Sequence, residues 1–169
     1  GSDLAPEDSR ADEWMQTGQH ASNLATLNRK QICDPESFSQ LVSFRAVDMN
    51  AIPEDLTGFD FTWSSCALEH LGSLEAGMAF FENSMRCLRP GGVAIHTTEF
   101  NLDSNDDTIT SGPTVVYRRK DIEALVDRLQ ATGYEVEPLD FDPGFGPADL
   151  VVDDPPYTGT LHLRMRLQE

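Results

Sequence analysis

The sequence predicts an α/β domain whose mostly parallel sheet ends in an antiparallel hairpin. Strand patterns alternate with helix patterns along most of the 169 residues, at the spacing of strand–helix–strand units. The last two strand patterns are separated by a long loop without a helix, which favours an antiparallel hairpin at one sheet edge. A chain of this length buries roughly two thirds of its unfolded surface. We therefore expect a single domain over residues 1–169.

Two helices are predicted before the first strand. Apolar and small residues recur at helical spacing over residues 12–30, which predicts one continuous helix. Asp34 followed by Pro35 is the pattern of an N-cap and a first helical position, which predicts a short second helix. Its buried face is expected to consist of Phe38, Leu41 and Val42.

Three strands and a helix are predicted in the middle of the chain. Aromatic and β-branched residues predict strands at residues 43–47, 59–64 and 93–98. Ser73 is a typical N-cap for a helix between the second and third of these strands. Residues 89–92 (Arg-Pro-Gly-Gly) are expected to end that helix in a turn.

A helix, two strands and two loops complete the prediction. Residues 121–131 carry apolar side chains at i, i+3, i+4 and i+7, and Gly133 occupies the C′ position of this helix. Residues 134–141 and 161–167 are predicted strands, the first an edge or bulged strand because it contains a proline. The segments expected to be variable loops are 101–116 and 142–160.

The composition excludes several classes of partner. Twenty-nine acidic residues against twelve basic ones give a net charge of −17, which repels nucleic acid and anionic membranes alike. No apolar window is long enough to cross a membrane and no signal-peptide pattern is visible, so we expect a cytoplasmic location. The three cysteines have no CxxC spacing, so reduced thiols are expected at Cys33, Cys66 and Cys87.

Polar residues follow the first two predicted strands, and ligands of open parallel sheets bind at the carboxyl ends of strands. Asp48 follows the first strand, where its carboxylate can bond an exocyclic amine and Met49 can pack on a flat ring. A local turn in which the Asp48 side chain bonds its own backbone is the competing interpretation. Ser64 and Ser65 end the second strand, and their small side chains let a ligand approach the backbone closely.

Two histidines lie near these strand ends. His70 is a candidate general base because histidine titrates near neutral pH, although it can equally pack and hydrogen-bond locally. Its neighbour Glu69 points about 100° away if both lie on a helix, so the two are not expected to form an acid–base dyad. His96 lies within the third strand and is expected to be buried and satisfied.

Taken in order, four stretches resemble class I S-adenosylmethionine-dependent methyltransferases. Residues 44–53 look like the third strand of that family and the acidic residue after it, and residues 59–71 like the fourth strand and its continuation. Residues 87–93 are similar to the family's turn into the fifth strand, and residues 117–134 to the helix before the sixth. The resemblance implies a Rossmann-like methyltransferase sheet.

The resemblance also implies S-adenosylmethionine as the cofactor and assigns residues to it. Asp48 would bond the adenine amino group, and Met49 would supply a backbone N–H and a ring contact. Ser64 and Ser65 would lie near the methionine portion. Asp3 looks like the acidic residue that ends the second strand and bonds the ribose hydroxyls.

The reaction implied is an in-line transfer of the sulfonium methyl group to a small-molecule acceptor. The protein aligns the acceptor with the methyl carbon and, where needed, removes a proton from it. His70 is the expected catalytic base.

One departure from the family is large. The glycine-rich turn E/DxGxGxG, which precedes the ribose-binding acid, does not occur in this sequence. We therefore expect an N-terminally incomplete domain with impaired cofactor binding, completed by another chain or by a strand-exchanged homodimer. The alternative is a non-catalytic methyltransferase-like module that pairs with another chain. Nicotinamide-dependent enzymes also need a glycine-rich turn, so they fit less well.

No metal site is expected. Residues 66–71 are similar to an ExxEHL segment with which some RNA-terminal 2′-O-methyltransferases, together with a later histidine, hold magnesium. Here Cys66 replaces the first glutamate, and residues 115–117 supply no histidine.

Overall fold

The computed structural model describes residues 1–142, 150–154 and 161–168, and describes side chains for the first of these ranges. The chain divides into two compact units, Gly1–Glu54 and Asp55–Glu169. None of the helices in the described ranges is long and apolar enough to span a membrane.

The first unit contains a two-stranded parallel sheet and three short helices. Strand β1 (Ser2–Asp3) pairs with β2 (Arg45–Ala46), so that Ser2 lies opposite Arg45 and Asp3 opposite Ala46. The helices between these strands are α1 (Asp12–Thr17), α2 (Leu24–Leu27) and α3 (Pro35–Leu41).

The predicted continuous helix over residues 12–30 is wrong. Gly18 takes the left-handed conformation, with φ 73°, and its N–H bonds the carbonyls of Trp14 and Met15. A glycine in this conformation is a common helix C-cap, so α1 ends there. A new helix begins only after Asn23, whose side chain accepts from the Thr26 N–H.

The start of α3 is confirmed, but its predicted buried face is not. Asp34 accepts a hydrogen bond from the Ser37 N–H, with Pro35 in the first turn. Leu41 is 83% exposed, so the expectation that it is buried is wrong. The strand predicted after this helix shortens to the two residues of β2.

The second unit contains a four-stranded mixed sheet in the order β3-β4-β6-β5. Its strands are β3 (Phe59–Ser65), β4 (Leu88–Asn101), β5 (Leu150–Asp154) and β6 (Leu161–Gln168). Strands β3 and β4 are parallel, whereas β6 is antiparallel to both β4 and β5. The expected parallel sheet with an antiparallel C-terminal hairpin is confirmed.

The hairpin is built from a different first strand than the sequence predicts. Residues 134–141 form no strand, and their Pro138 has no N–H to donate to a ladder. The partner of β6 is instead β5, inside the segment 142–160 that was expected to be a loop. The apolar run Leu150-Val151-Val152 supplies its strand-forming residues.

The helices of this unit are α4 (Leu74–Ser84) and α5 (Arg119–Ala131). The predicted cap of α4 is confirmed, because the Ser73 hydroxyl accepts from the Ala76 N–H at 3.1 Å. Gly133 follows α5 with φ 94°, also as predicted.

The predicted turn at residues 89–92 lies inside β4 as a bulge. Phe59 is opposite Leu88, but Phe61 is already opposite Val93, so the extra residues of β4 loop out between these pairs. Gly91 has φ 78°, a conformation in which glycine is favoured over other residues.

One face of the β3–β4 pair carries the core of this unit and the other does not. The buried apolar residues are Leu68, Leu74, Met78, Phe80, Cys87, Phe100, Val115, Val116, Tyr117, Leu125 and Leu129. In the segment 101–116, Asn101 is the last residue of β4 and the rest forms neither helix nor named strand, as expected. Thr108, Val115 and Val116 are nevertheless buried, so part of this segment is core. The large apolar residues exposed on β3 and β4 are Phe59, Phe61, Trp63, Val93 and Ile95.

Candidate functional site

Asp3 and Asp48 lie at the carboxyl ends of neighbouring parallel strands. Asp3 is the last residue of β1 and is paired with Ala46 of β2, two residues before Asp48. The Val47 N–H bonds the Asp3 carbonyl at 2.8 Å, which fixes the two strand ends side by side. This is the edge where an open parallel sheet binds ligands.

Asp48 forms the local turn that was its competing interpretation. Its Oδ1 accepts from the Asn50 N–H at 2.8 Å, and its Oδ2 accepts from Nη2 of Arg10 at 2.8 Å. Met49 begins the short 3₁₀ turn that Asp48 caps. A carboxylate offers about four lone-pair positions, so two hydrogen bonds leave acceptor capacity at Asp48.

Asp3 is held by the backbone around it. Its Oδ1 accepts from the Leu4 N–H at 2.8 Å and its Oδ2 from the Ala21 N–H at 2.9 Å. The buried His20 lies beside it, with Nε2 3.6 Å from Asp3 Oδ1, and donates to the Leu4 carbonyl at 2.9 Å. Sequence reasoning did not single out His20, since it stands in no motif.

Ser64 and Ser65 point to opposite faces of β3. The Ser64 hydroxyl is hydrogen-bonded to His96 Nδ1 at 2.8 Å, because the parallel register places these residues opposite each other. Ser65 is exposed. Of the two serine hydroxyls, that of Ser65 is therefore open to a ligand, whereas that of Ser64 is engaged beneath α4.

His96 is half-buried and both of its ring nitrogens are hydrogen-bonded, so the sequence prediction is confirmed for its hydrogen bonds but not for full burial. The Ser84 hydroxyl donates to the Phe81 carbonyl at 2.7 Å, so at His96 Nε2, 3.1 Å away, it acts as the acceptor. This assigns the imidazole proton to Nε2 and makes Ser64 the donor to Nδ1. Burial lowers the pKa of His96 from 6.5 to about 4, which keeps the ring neutral.

His70 lies on a 3₁₀ turn, Leu68–His70, just beyond β3. Its Nδ1 donates to the Pro113 carbonyl at 2.8 Å, so in the neutral ring Nε2 carries the lone pair. This Nε2 is 3.7 Å from Glu69 Oε1. The expectation that Glu69 and His70 point apart is wrong, because the pair lies on a tight turn and not on an α-helix.

Glu69, Glu99 and Cys66 form a cluster that sequence reasoning missed. Their ligand-type atoms all lie within 4.8 Å of one another. Burial and the neighbouring Glu99 carboxyl hold the pKa of Glu69 well above its usual range, while the Thr98 hydroxyl donates to its Oε2 at 3.1 Å. Burial also raises the pKa of the Cys66 thiol. The spacing of Cys66 and Glu69 is visible in the sequence, but Glu99 comes from β4 and joins them only through the strand register.

Comparison with known proteins finds a similarity to one family and to two solved structures. Residues 17–96, just under half of the chain, match a family model described as a methyltransferase domain. Over this stretch the chain is similar to methyltransferase domains. The match includes Asp48, Met49, both strand-end serines and His70, whereas Asp3 lies outside it.

Two solved structures are similar to this chain. The cyclase SpnF is 17% identical, with a TM-score of 0.49 over 81% of this chain and 52% of that chain. A complex titled DhpI-SAM-HEP is 18% identical, with a TM-score of 0.41 over 78% of this chain and 68% of that chain. The chain thus spans about half the length of SpnF. No curated protein sequence matches it.

Proposed function

We propose that this chain is a methyltransferase domain that uses S-adenosylmethionine to methylate a small-molecule acceptor. The observation that carries the proposal is the placement of Asp3 and Asp48 at the ends of adjacent parallel strands. In this fold, those positions suit a carboxylate for the ribose hydroxyls and a second one for the adenine amine. The matched methyltransferase stretch supports the same conclusion.

The chemistry of these residues fits that cofactor. The side chains of Asp3 and Asp48 are 32% and 29% exposed, so both carboxylates reach solvent while held in place by hydrogen bonds. Met49 adds a partly exposed apolar side chain beside Asp48. The family resemblance assigns Ser64 and Ser65 of the second unit to the methionine end, and of these two side chains Ser65 is the exposed one.

His70 is the proposed base for acceptors that must lose a proton. The cofactor supplies an electrophilic methyl carbon on a sulfonium centre. The Pro113 carbonyl fixes Nδ1 of His70 as the donor, so Nε2 is the nitrogen that takes the proton. The net charge of −17 supports a small molecule over a nucleic acid as acceptor.

Calorimetric titration of the full chain with S-adenosylmethionine tests the proposal. We expect saturable binding, weakened about 10-fold or more by Asp3→Asn or Asp48→Asn, because each removes a charged hydrogen-bond acceptor worth about 1.5–3 kcal/mol. Asp127→Asn is the matched control, since Asp127 is an exposed residue of α5 outside the proposed site. Absence of binding by the folded chain, or equal affinity in all variants, contradicts the proposal.

A second candidate is a methyltransferase-like module that pairs with another chain. It is favoured by the exposed apolar face of β3 and β4, in which Trp63 is 68% exposed and lies opposite Ile95. In the sheet formed by the described strands, β3 is also an edge strand. Sedimentation over a concentration series should reveal self-association that Trp63→Gln abolishes. A monomer at every concentration counts against pairing with a second copy.

A further inference from the structure

We propose that Cys66, Glu69 and Glu99 bind a divalent transition-metal ion of the zinc class. This site lies beside His70, but the proposal does not depend on methyl transfer. It also revises the expectation from the sequence that the chain has no metal site.

The three ligands come from the ends of two paired strands. Cys66 directly follows β3, Glu69 lies on the 3₁₀ turn after it, and Glu99 lies near the end of β4. The Cys66 N–H bonds both the carbonyl and the hydroxyl oxygen of Thr97, at 3.2 Å and 3.1 Å. These bonds tie the Cys66 backbone to β4, two residues before Glu99.

An unpartnered buried carboxylate oxygen points to a ligand. Glu69 is 0% exposed, and its Oε1 accepts no N–H or hydroxyl hydrogen bond from the described residues, so its neighbour is the carboxyl group of Glu99. Oε2 of Glu99 is buried and without a donor in the same part of the chain. Two facing carboxyl groups bond each other only if one is protonated, and a cation bound between them removes that requirement.

The ligand set favours zinc over magnesium or calcium. A cysteine sulfur is a soft ligand that suits zinc or cobalt, whereas magnesium and calcium prefer oxygen ligands alone. Metal–ligand lengths of about 2.0–2.3 Å place neighbouring ligand atoms of a tetrahedral site about 3.3–3.7 Å apart. The cluster spans up to 4.8 Å, so a shift on the order of 1 Å closes it.

A set of three protein ligands would leave the fourth tetrahedral position of a zinc ion to water or a substrate atom, as is typical of catalytic zinc sites. Nε2 of His70 lies beside the cluster, 3.7 Å from Glu69 Oε1. Its ring is held through Nδ1 by a backbone carbonyl, as in histidines near metal centres.

Titration with cobalt(II) and zinc(II) tests the proposal on the full chain after treatment with a chelator. We expect one cobalt ion per chain, with the near-ultraviolet absorption of a thiolate–cobalt bond. Cys66→Ser should abolish this band, and Glu99→Gln should weaken binding about 10-fold or more. Cys33→Ser is the matched control, because it removes a free thiol that is not one of the proposed ligands. It should leave the absorption band and the affinity for cobalt unchanged.

A second measurement on the unaltered chain covers the case in which a variant does not fold. Zinc binds cysteine as the thiolate, so binding should release at least one proton, measured by calorimetry in buffers of different ionisation enthalpy. Zinc should also raise the melting temperature. Absence of the band, its persistence in Cys66→Ser, or binding without proton release overturns the proposal.

Discussion

The Ser64 hydroxyl and His96 Nδ1 are hydrogen-bonded across β3 and β4 at 2.8 Å. The bond links the middle of the sheet to α4, because Nε2 of the same imidazole reaches the Ser84 hydroxyl at 3.1 Å. The edges of Phe80 and Phe81 contact the ring, with centroids 5.3 Å and 4.6 Å from its own. His96 is therefore built into the unit as a neutral side chain.

Protonation of His96 should destabilise the fold in acid. Its pKa is lowered from 6.5 to about 4, so between these values the unfolded chain binds a proton that the folded chain does not. Stability is therefore lost as the pH falls through this window, by about 3 kcal/mol in total. Urea unfolding at a series of pH values should show this loss in the wild type and a shallower one in His96→Gln.

The imidazole resonance of His96 gives a direct check. Its NMR titration should have a midpoint near pH 4 in the wild type. Ser64→Ala removes the donor that favours the neutral ring and should raise that midpoint. Two results would show that burial does not hold the ring neutral. One is the same pH dependence of the free energy of unfolding in wild type and His96→Gln, and the other is an NMR midpoint near pH 6.5 for His96.

Arg10 should hold down the pKa of Asp8, which shares this guanidinium with Asp48 of the candidate cofactor site. Its guanidinium donates hydrogen bonds to Asp8 and also to Oδ2 of Asp48. The hydrogen bonds to Asp8 lower the pKa of Asp8 from 3.8 to about 2. Arg10→Gln should return the pKa of Asp8 towards 3.8, measured by carbon-13 NMR of the carboxyl group. Arg29→Gln is the control, because Arg29 donates to the Gly18 carbonyl instead. An unchanged Asp8 titration in Arg10→Gln contradicts the ion pair.

Local sequence signals predicted several caps and turns, but missed the end of α1 before Gly18 and the end of α4 at Ser84. The cap at Ser73, the turn at Asp48 and the glycine after α5 each depend on a hydrogen bond or conformation within a few residues. Such features are determined by neighbours along the chain, so the sequence alone suffices to find them.

Features that depend on strand register could not be predicted in this way. Ser64 meets His96, and Glu69 meets Glu99, only because β3 and β4 pair with a particular bulge. The first strand of the C-terminal hairpin was also missed, since residues 134–141 and 150–154 both have strand-forming composition. Their competition is decided by pairing with β6, which is a long-range contact.

The Ser73 cap should contribute measurably to stability. Its hydroxyl accepts from the Ala76 N–H and satisfies one of the free donors at the start of α4. Ser73→Ala should therefore lower the free energy of unfolding by about 1 kcal/mol, measured by urea titration. Ser73→Asp should retain the cap, and Ser111→Ala, at an exposed position of the same unit, should have little effect. Equal losses in Ser73→Ala and Ser111→Ala would rule out the cap as the cause.

Gly77 should be intolerant of even a methyl group. Gly77 is buried in α4, and an added Cβ would overlap the Tyr117 hydroxyl oxygen and lie 2.6 Å from the Leu68 carbonyl oxygen. Gly77→Ala should therefore destabilise the chain by about 1–3 kcal/mol, although alanine is intrinsically the better helix former. Tyr117→Phe removes the overlapping oxygen, so the penalty for Gly77→Ala should be smaller in that background, and the Leu68 carbonyl should account for what remains. A double-mutant cycle by urea unfolding measures this coupling, and strictly additive losses would show that the two side chains do not collide.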